Sequence, residues 1–314
     1  MVAAVFDAFI SIYNRRTADL IRLGSGGSGI LRQGALHPDL VNRLANEASK
    51  AADHVLNICV RALDYCPPVD ITFGDYFQAL ITADFDLFPD DDKGYRIAFI
   101  EAFRRRGIYP RDVRTLSEDS LRWRSPSSDI NRLNTKMAWN FIGRYSMQDK
   151  RGTIVQQTRH LTGELEKAIG PLLGNGEIAK VLGMNPKWPF RIESVRPSSR
   201  NDSDGDMIRE LRFEIHQAVL LSLDPDNTEE IGVDPSLPQE IPESKFVFRG
   251  GSTVVADLKT QTLRYCIHKN IDSAQRRAKQ RCFLSNIDPS LQEMYFESTT
   301  HQPFAVLHRR RRGR

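Results

Sequence analysis

The longest unbroken helical pattern of this chain runs from Pro38 to about Tyr65. Leu40, Val41, Leu44, Ala48, Ala51, Ala52, Val55, Cys59, Ala62 and Leu63 recur at three- and four-residue steps with Asn, Glu, Lys and Arg between them, the spacing of a helix buried along one stripe. Pro38 suits a first helical turn, and Pro67-Pro68 ends the run. At 1.5 Å per residue the helix is about 42 Å long, so it must cross a sizeable helical body.

Further helical patterns surround it. Val2 to Leu23 places Val5, Phe6, Phe9, Ile10, Ile12 and Tyr13 within its first half. It opens without Ser, Thr, Asp or Asn before it, which suggests a helix whose natural beginning lies upstream. Thr72-Phe73-Gly74-Asp75 gives a capping signal for the next helix, with a buried stripe expected at Phe73, Tyr76, Phe77, Leu80, Ile81 and Phe88. A third helix is expected between Asp90-Asp91-Asp92 and Arg104-Arg105-Arg106, charges that complement its dipole, with Gly107 as its C-terminal cap. Asp129 to Tyr145 and Thr153 to Leu173 continue the helical character.

Beyond Pro186 the period changes from helical to alternating. Phe190 to Val195, Met207 to Leu223, Phe246 to Phe248, Ser252 to Leu258 and Leu263 to His268 read as strands of an antiparallel meander, with Gly250-Gly251 as a tight connection and a closing helix from Asp272 to Leu284. The expected fold class is α+β. A helical lobe spans 1–115, a helical extension 116–185, a small antiparallel-sheet domain with a packing helix 186–300, and a basic disordered tail 301–314.

Composition excludes several classes. The net charge is +4, but five arginines lie in 309–314, so the rest carries 4 − 5 = −1 and presents no basic face. That argues against a nucleic-acid partner. No stretch approaches the ~20 apolar residues that cross a bilayer, so no membrane partner is expected, and the start lacks the features of a secretory signal. A cytoplasmic protein is expected. Four cysteines make no disulfide framework, and Cys59 and Cys66, seven residues apart in a helical pattern, lie about 10 Å apart and should be free thiols. Cys266 and Cys282 are expected to pack as small apolar groups.

Chemistry-bearing motifs are sparse. Gly24 to Gly29 has the Gly-x-Gly-x-x-Gly spacing, but it follows a helical pattern instead of a strand and reads as a loop. Asn201 to Asp206 resembles part of a calcium loop, yet setting Gly205 at the turn puts Arg200 and Leu211 at the required carboxylate positions, so a polar turn is expected. The histidines at 37, 54, 160, 216, 268, 301 and 308 form no i, i+4 pair, and no His-Glu-x-x-His, Gly-x-Ser-x-Gly, Walker or Cys-x-x-Cys motif occurs. His54 falls on the polar flank of the long helix and is expected in solvent, and His160 with Glu164 reads as a surface pair. No catalytic, cofactor-binding or metal-binding residue, and no cofactor, is therefore assigned. Asp84 lies near a buried stripe and should pair with Arg104, Arg105 or Arg106.

Thr72-Phe73-Gly74-Asp75-Tyr76-Phe77-Gln78-Ala79-Leu80-Ile81-Thr82-Ala83-Asp84, Leu87-Phe88, Tyr95, and Ala98-Phe99-Ile100-Glu101-Ala102-Phe103 with Gly107-Ile108 resemble the closing helical hairpin of gluzincin (thermolysin-like and fungalysin-like) zinc metallopeptidases. The likeness covers about residues 1–115. It implies a C-terminal helical lobe forming one wall of a peptide cleft, with the zinc-binding helix and general base in a part that precedes Met1. The partner this implies is that missing N-terminal catalytic part, covering an apolar face of Val5, Phe6, Phe9 and Ile10. A stand-alone protein-protein interaction module without enzymatic activity would use the same face.

Overall fold

The computed structural model describes residues 1–31, 34, 36–126, 151–201, 207–235, 241–242, 244–260 and 262–286. The helix expected at 129–145, the turn at 202–206 and the tail at 301–314 lie outside them. Among the described residues there are eight α-helices and five strands, an α+β fold. The helices are α1 (Val2–Gly24), α2 (Pro38–Ala62), α3 (Phe73–Leu87), α4 (Tyr95–Arg105), α5 (Glu118–Leu121), α6 (Arg151–Leu173), α7 (Gly176–Val181) and α8 (Ala274–Asn286). The strands are β1 (Phe190–Asn201), β2 (Met207–Ser222), β3 (Glu230–Val233), β4 (Lys245–Asp257) and β5 (Thr262–Lys269). They form one antiparallel sheet in the order β1-β2-β4-β5, with β3 pairing β2 so that Leu220 faces Ile231.

The chain divides into two compact units, each built from three segments: 1–144, 195–213 and 253–267 in the first, 145–194, 214–252 and 268–314 in the second. Strands β1, β2, β4 and β5 each give residues to both.

In the first unit α1 packs on α2 and α4, and α2 on α3. Its core gathers Ala8, Ile12, Ile58, Phe77, Leu80, Ile81, Phe99 and Phe103, and takes in Val255, Tyr265 and Ile267 from the strands. The Phe77 and Phe103 rings stack at 4.5 Å, locking α3 to α4. Pro38 sits in the first turn of α2, which passes through a 3-10 turn (Leu63–Tyr65) before Pro67. Thr72 and Asp75 form the expected reciprocal cap on α3. Gly74 is required for close packing, because a Cβ there would stand 2.7 Å from Pro110 Cα and from the Tyr109 carbonyl.

Several expectations need correction. Phe73 (59% exposed) and Phe88 (40%) lie outside the buried stripe of α3, since the first turn and the C-cap of the helix project past the core. The aspartate run does not open α4. Its helix starts at Tyr95 after a left-handed Gly94, and Asp91 reaches forward to accept from the Tyr95 and Arg96 amides at 2.6 and 3.0 Å. Gly107, at φ +67°, closes the far end.

In the second unit Val219, Leu221, Phe246, Phe248, Ile271 and Leu284 form a core with Trp188 and Leu223 at its margin. Gly250-Gly251 is not a turn but lies inside β4. A Cβ on Gly250 would meet Ile271 Cα at 2.7 Å, so the glycine serves a close backbone approach, not a reversal of the chain. Cys282, expected to pack, is exposed on α8. Its helix is anchored instead by arginines: Arg277 Nε donates to the Ile271 carbonyl at 2.9 Å, and Arg281 Nε to the Ser222 carbonyl at 3.1 Å.

Candidate functional site

Two buried carboxylates stand two residues apart near the end of α3, and their surroundings differ. Asp84 takes His54 Nε2 at 3.2 Å on one oxygen and Arg96 at 3.1 Å on the other. Arg96 also donates to the carbonyls of Phe88 at 2.7 Å and Pro89 at 2.8 Å, and its Nε lies 2.9 Å from Glu118. The guanidinium of Asp84 therefore comes from the first turn of α4, not from Arg104, Arg105 or Arg106. Those three sit at the opposite end of α4, where Arg105 pairs with Glu101 and Arg106 with Asp7.

His54 is not in solvent. Its ring lies between Phe88 (centroids 4.2 Å apart) and Tyr95 (3.9 Å), with 17% of the side chain exposed. The Tyr95 hydroxyl accepts from Arg16 at 3.0 Å, and Arg16 pairs with Glu47 at 2.5 Å. Burial pushes the Tyr95 hydroxyl above its ordinary range, against the pull of Arg16.

Asp86 accepts from Tyr65 at 2.7 Å, Tyr265 at 2.9 Å and Arg264 at 2.7 Å. Arg264 also reaches Glu210 at 2.8 Å, and Glu210 takes Arg61 at 2.5 Å. Arg212 links Glu210 (3.4 Å) to Asp64 (2.5 Å). Among the described contacts three arginines thus face three carboxylates. Burial and the neighbouring Asp86 hold the Tyr65 and Tyr265 hydroxyls well above their ordinary range. Burial pulls Arg264 down, but Asp86, Tyr265, Tyr65 and Glu210 outweigh it and keep the guanidinium charged. Such a set holds its protons tightly, which suits a structural clasp and not proton transfer.

Two of the thiols are likewise held protonated. Burial pushes Cys66 and Cys266 each up to about 12. Among the described residues no group of three or more His, Cys, Asp or Glu is placed to hold a metal ion, and no helix is long and apolar enough to cross a membrane. Glu164 accepts from Lys167 at 3.1 Å. The glycine-rich stretch follows α1, and Gly24 and Gly26 border a groove of about 680 Å³ that Leu20, Leu23, Leu36 and Leu40 also line.

The apolar face named from the sequence is on the surface of α1. The helix buries its narrow side, Ala4, Ala8, Ile12 and Thr17. Of its other apolar residues Val2 is 82% exposed, Phe6 59% and Ile10 38%, while Val5 and Phe9 are half-buried and pack against the unit's own core. Phe6, Phe9 and Tyr13 form a continuous ridge, with ring centroids 6.1 and 6.4 Å apart. Arg106 and Asp7 flank it with an ion pair at 2.6 Å.

No protein-family model, no curated protein and no solved structure matches this chain.

Proposed function

We propose that the first unit is a helical lobe of a zinc-metallopeptidase-like assembly, which docks through the Phe6-Phe9-Ile10 face of α1 onto a body carrying the zinc-binding helix and forms one wall of its peptide cleft. The observation that carries the reading is the exposure of Phe6 and Ile10 on α1. Ala4, Ala8 and Ile12 face the lobe's own core, and Phe6 and Ile10 on the other side stand exposed, at a cost of ~1.5–3 kcal/mol for each large side chain left unburied. A docked protein body recovers that free energy. The resemblance at Thr72 to Ile108 names its kind, and it is supported by the helical hairpin α3–α4 with its Thr72–Asp75 cap. In this reading hydrolysis belongs to the docked body, and the lobe alone takes up no zinc tightly.

A stand-alone interaction module that docks some other protein uses the same face, so the test must separate the two. The reading of the gene immediately upstream is the first arm, and an in-frame His-Glu-x-x-His is expected there. The second is coexpression of that upstream polypeptide with this chain, which should yield peptide hydrolysis that a chelator stops and that Phe6→Asp removes. Tight stoichiometric zinc binding by this chain alone, seen by calorimetry, would refute the proposal.

A further inference from the structure

The cluster around Asp86 joins parts of the first unit that are far apart in sequence. One half comes from the helical segment: Arg61 and Asp64 at the end of α2, Tyr65, and Asp86 at the end of α3. The other comes from the strands: Glu210 and Arg212 of β2, Arg264 and Tyr265 of β5. The helical half carries one positive and two negative charges, the strand half two positive and one negative, so each half has an unbalanced charge that the other cancels. Three ion pairs cross between the halves, Asp86–Arg264, Asp64–Arg212 and Glu210–Arg61, and three stay within one half, Arg61–Asp64, Arg212–Glu210 and Arg264–Glu210. Beside them the Thr253 hydroxyl donates to the Cys66 carbonyl at 2.8 Å.

We propose that this network is an orientation lock: it selects the one register in which residues 195–213 and 253–267 seat on the helical segment, and it acts through charge matching more than through net stabilisation. The desolvation of six ionic groups offsets most of their mutual attraction, so a lock of this kind adds little to stability. It is costly to violate. A strand pair slipped by two residues moves Arg212 and Arg264 away from Asp64 and Asp86, leaving buried charges unmatched. The lock also orders assembly. Arg212 and Arg264, which pair with Asp64 and Asp86, are both present only once the chain has been made as far as Arg264.

The test is a charge exchange in the full chain at Asp64–Arg212, the most accessible ion pair of the cluster that joins the two halves. Asp64→Arg and Arg212→Asp are made singly and together, and amide exchange is followed in 195–213 and 253–267, with 77–81 and 99–103 as the reference for the helical core. Each single variant should lose about tenfold or more of the strand protection while the helical core stays protected, and the exchanged pair should recover most of it. Wild-type strand protection in the single variants would overturn the proposal. So would a double variant no better than the singles, or single variants that lose the helical core in equal measure, because the network would then be an ordinary contributor to stability.

Discussion

Asp84 and Asp86 occupy the same turn of one helix, are both buried, and are both held by an arginine, yet they do different work. The partners of Asp84 lie within 30 residues of it in sequence, His54 on α2 and Arg96 on α4. Those of Asp86 include Arg264 and Tyr265, 178 and 179 residues away. The first carboxylate ties together neighbouring helices that would meet anyway. The second joins the helical segment to strands that arrive from the far end of the chain. A buried carboxylate is therefore local glue or a long-range tie according to where its cation is encoded, and the helix that carries it gives no sign of which.

The comparison can be broken experimentally. Arg264→Met removes the cation shared by Asp86 and Glu210 and leaves two buried carboxylates under-compensated, which should cost about 3–5 kcal/mol in urea unfolding read by amide exchange of the first unit. A loss below about 1 kcal/mol would mean that the network relaxes around the vacancy. Asp84→Asn should cost less, about 1–3 kcal/mol, because Arg96 keeps the Phe88 and Pro89 carbonyls and Glu118. Thr72→Ala removes only the cap of α3 and should cost about 1 kcal/mol, seen as a lower denaturation midpoint with an unchanged slope.

Alkaline pH sharpens the same contrast. The Tyr65 and Tyr265 hydroxyls are raised in the folded chain, so their contribution is complete below the ordinary tyrosine range near pH 10 and declines as pH rises beyond it. Urea midpoints should therefore fall above pH 10. Tyr265→Phe should flatten that fall while Tyr95→Phe changes it less, since Tyr95 touches the Asp84 side, and equal effects would remove the distinction. The smallest effect belongs to the surface. Phe6→Ser should leave the stability of the chain within about 0.5 kcal/mol of wild type.

The helical architecture was legible because its signals are local. Pro38 and Pro67 bound α2, Thr72 and Asp75 cap α3, and Gly107 closes α4. Of the apolar face expected on α1, Phe6 and Ile10 are exposed, whereas Val5 and Phe9 are half-buried against the unit's own core. What escaped were contacts set by tertiary approach. Gly250 has the character of a turn residue, and only the nearness of Ile271 explains it within a strand. His54 has a polar position on its helix wheel, and only the return of α4 gives it an aromatic slot beside Asp84. Charge matching at Glu210, Arg212 and Arg264 left no periodic trace, because alternation along a strand does not say which polar residues will be enclosed.

The docking face proposed for α1 is tested most directly by binding. A body carrying the His-Glu-x-x-His helix, the partner proposed above, is titrated with the wild-type chain and with Phe6→Asp/Phe9→Asp by calorimetry, with thermal unfolding of both chains measured alongside. The account predicts a one-to-one complex for the wild type, at least a hundredfold weaker binding for the double variant, and a retained cooperative unfolding transition. Equal binding by the two chains, with both folded, would contradict it.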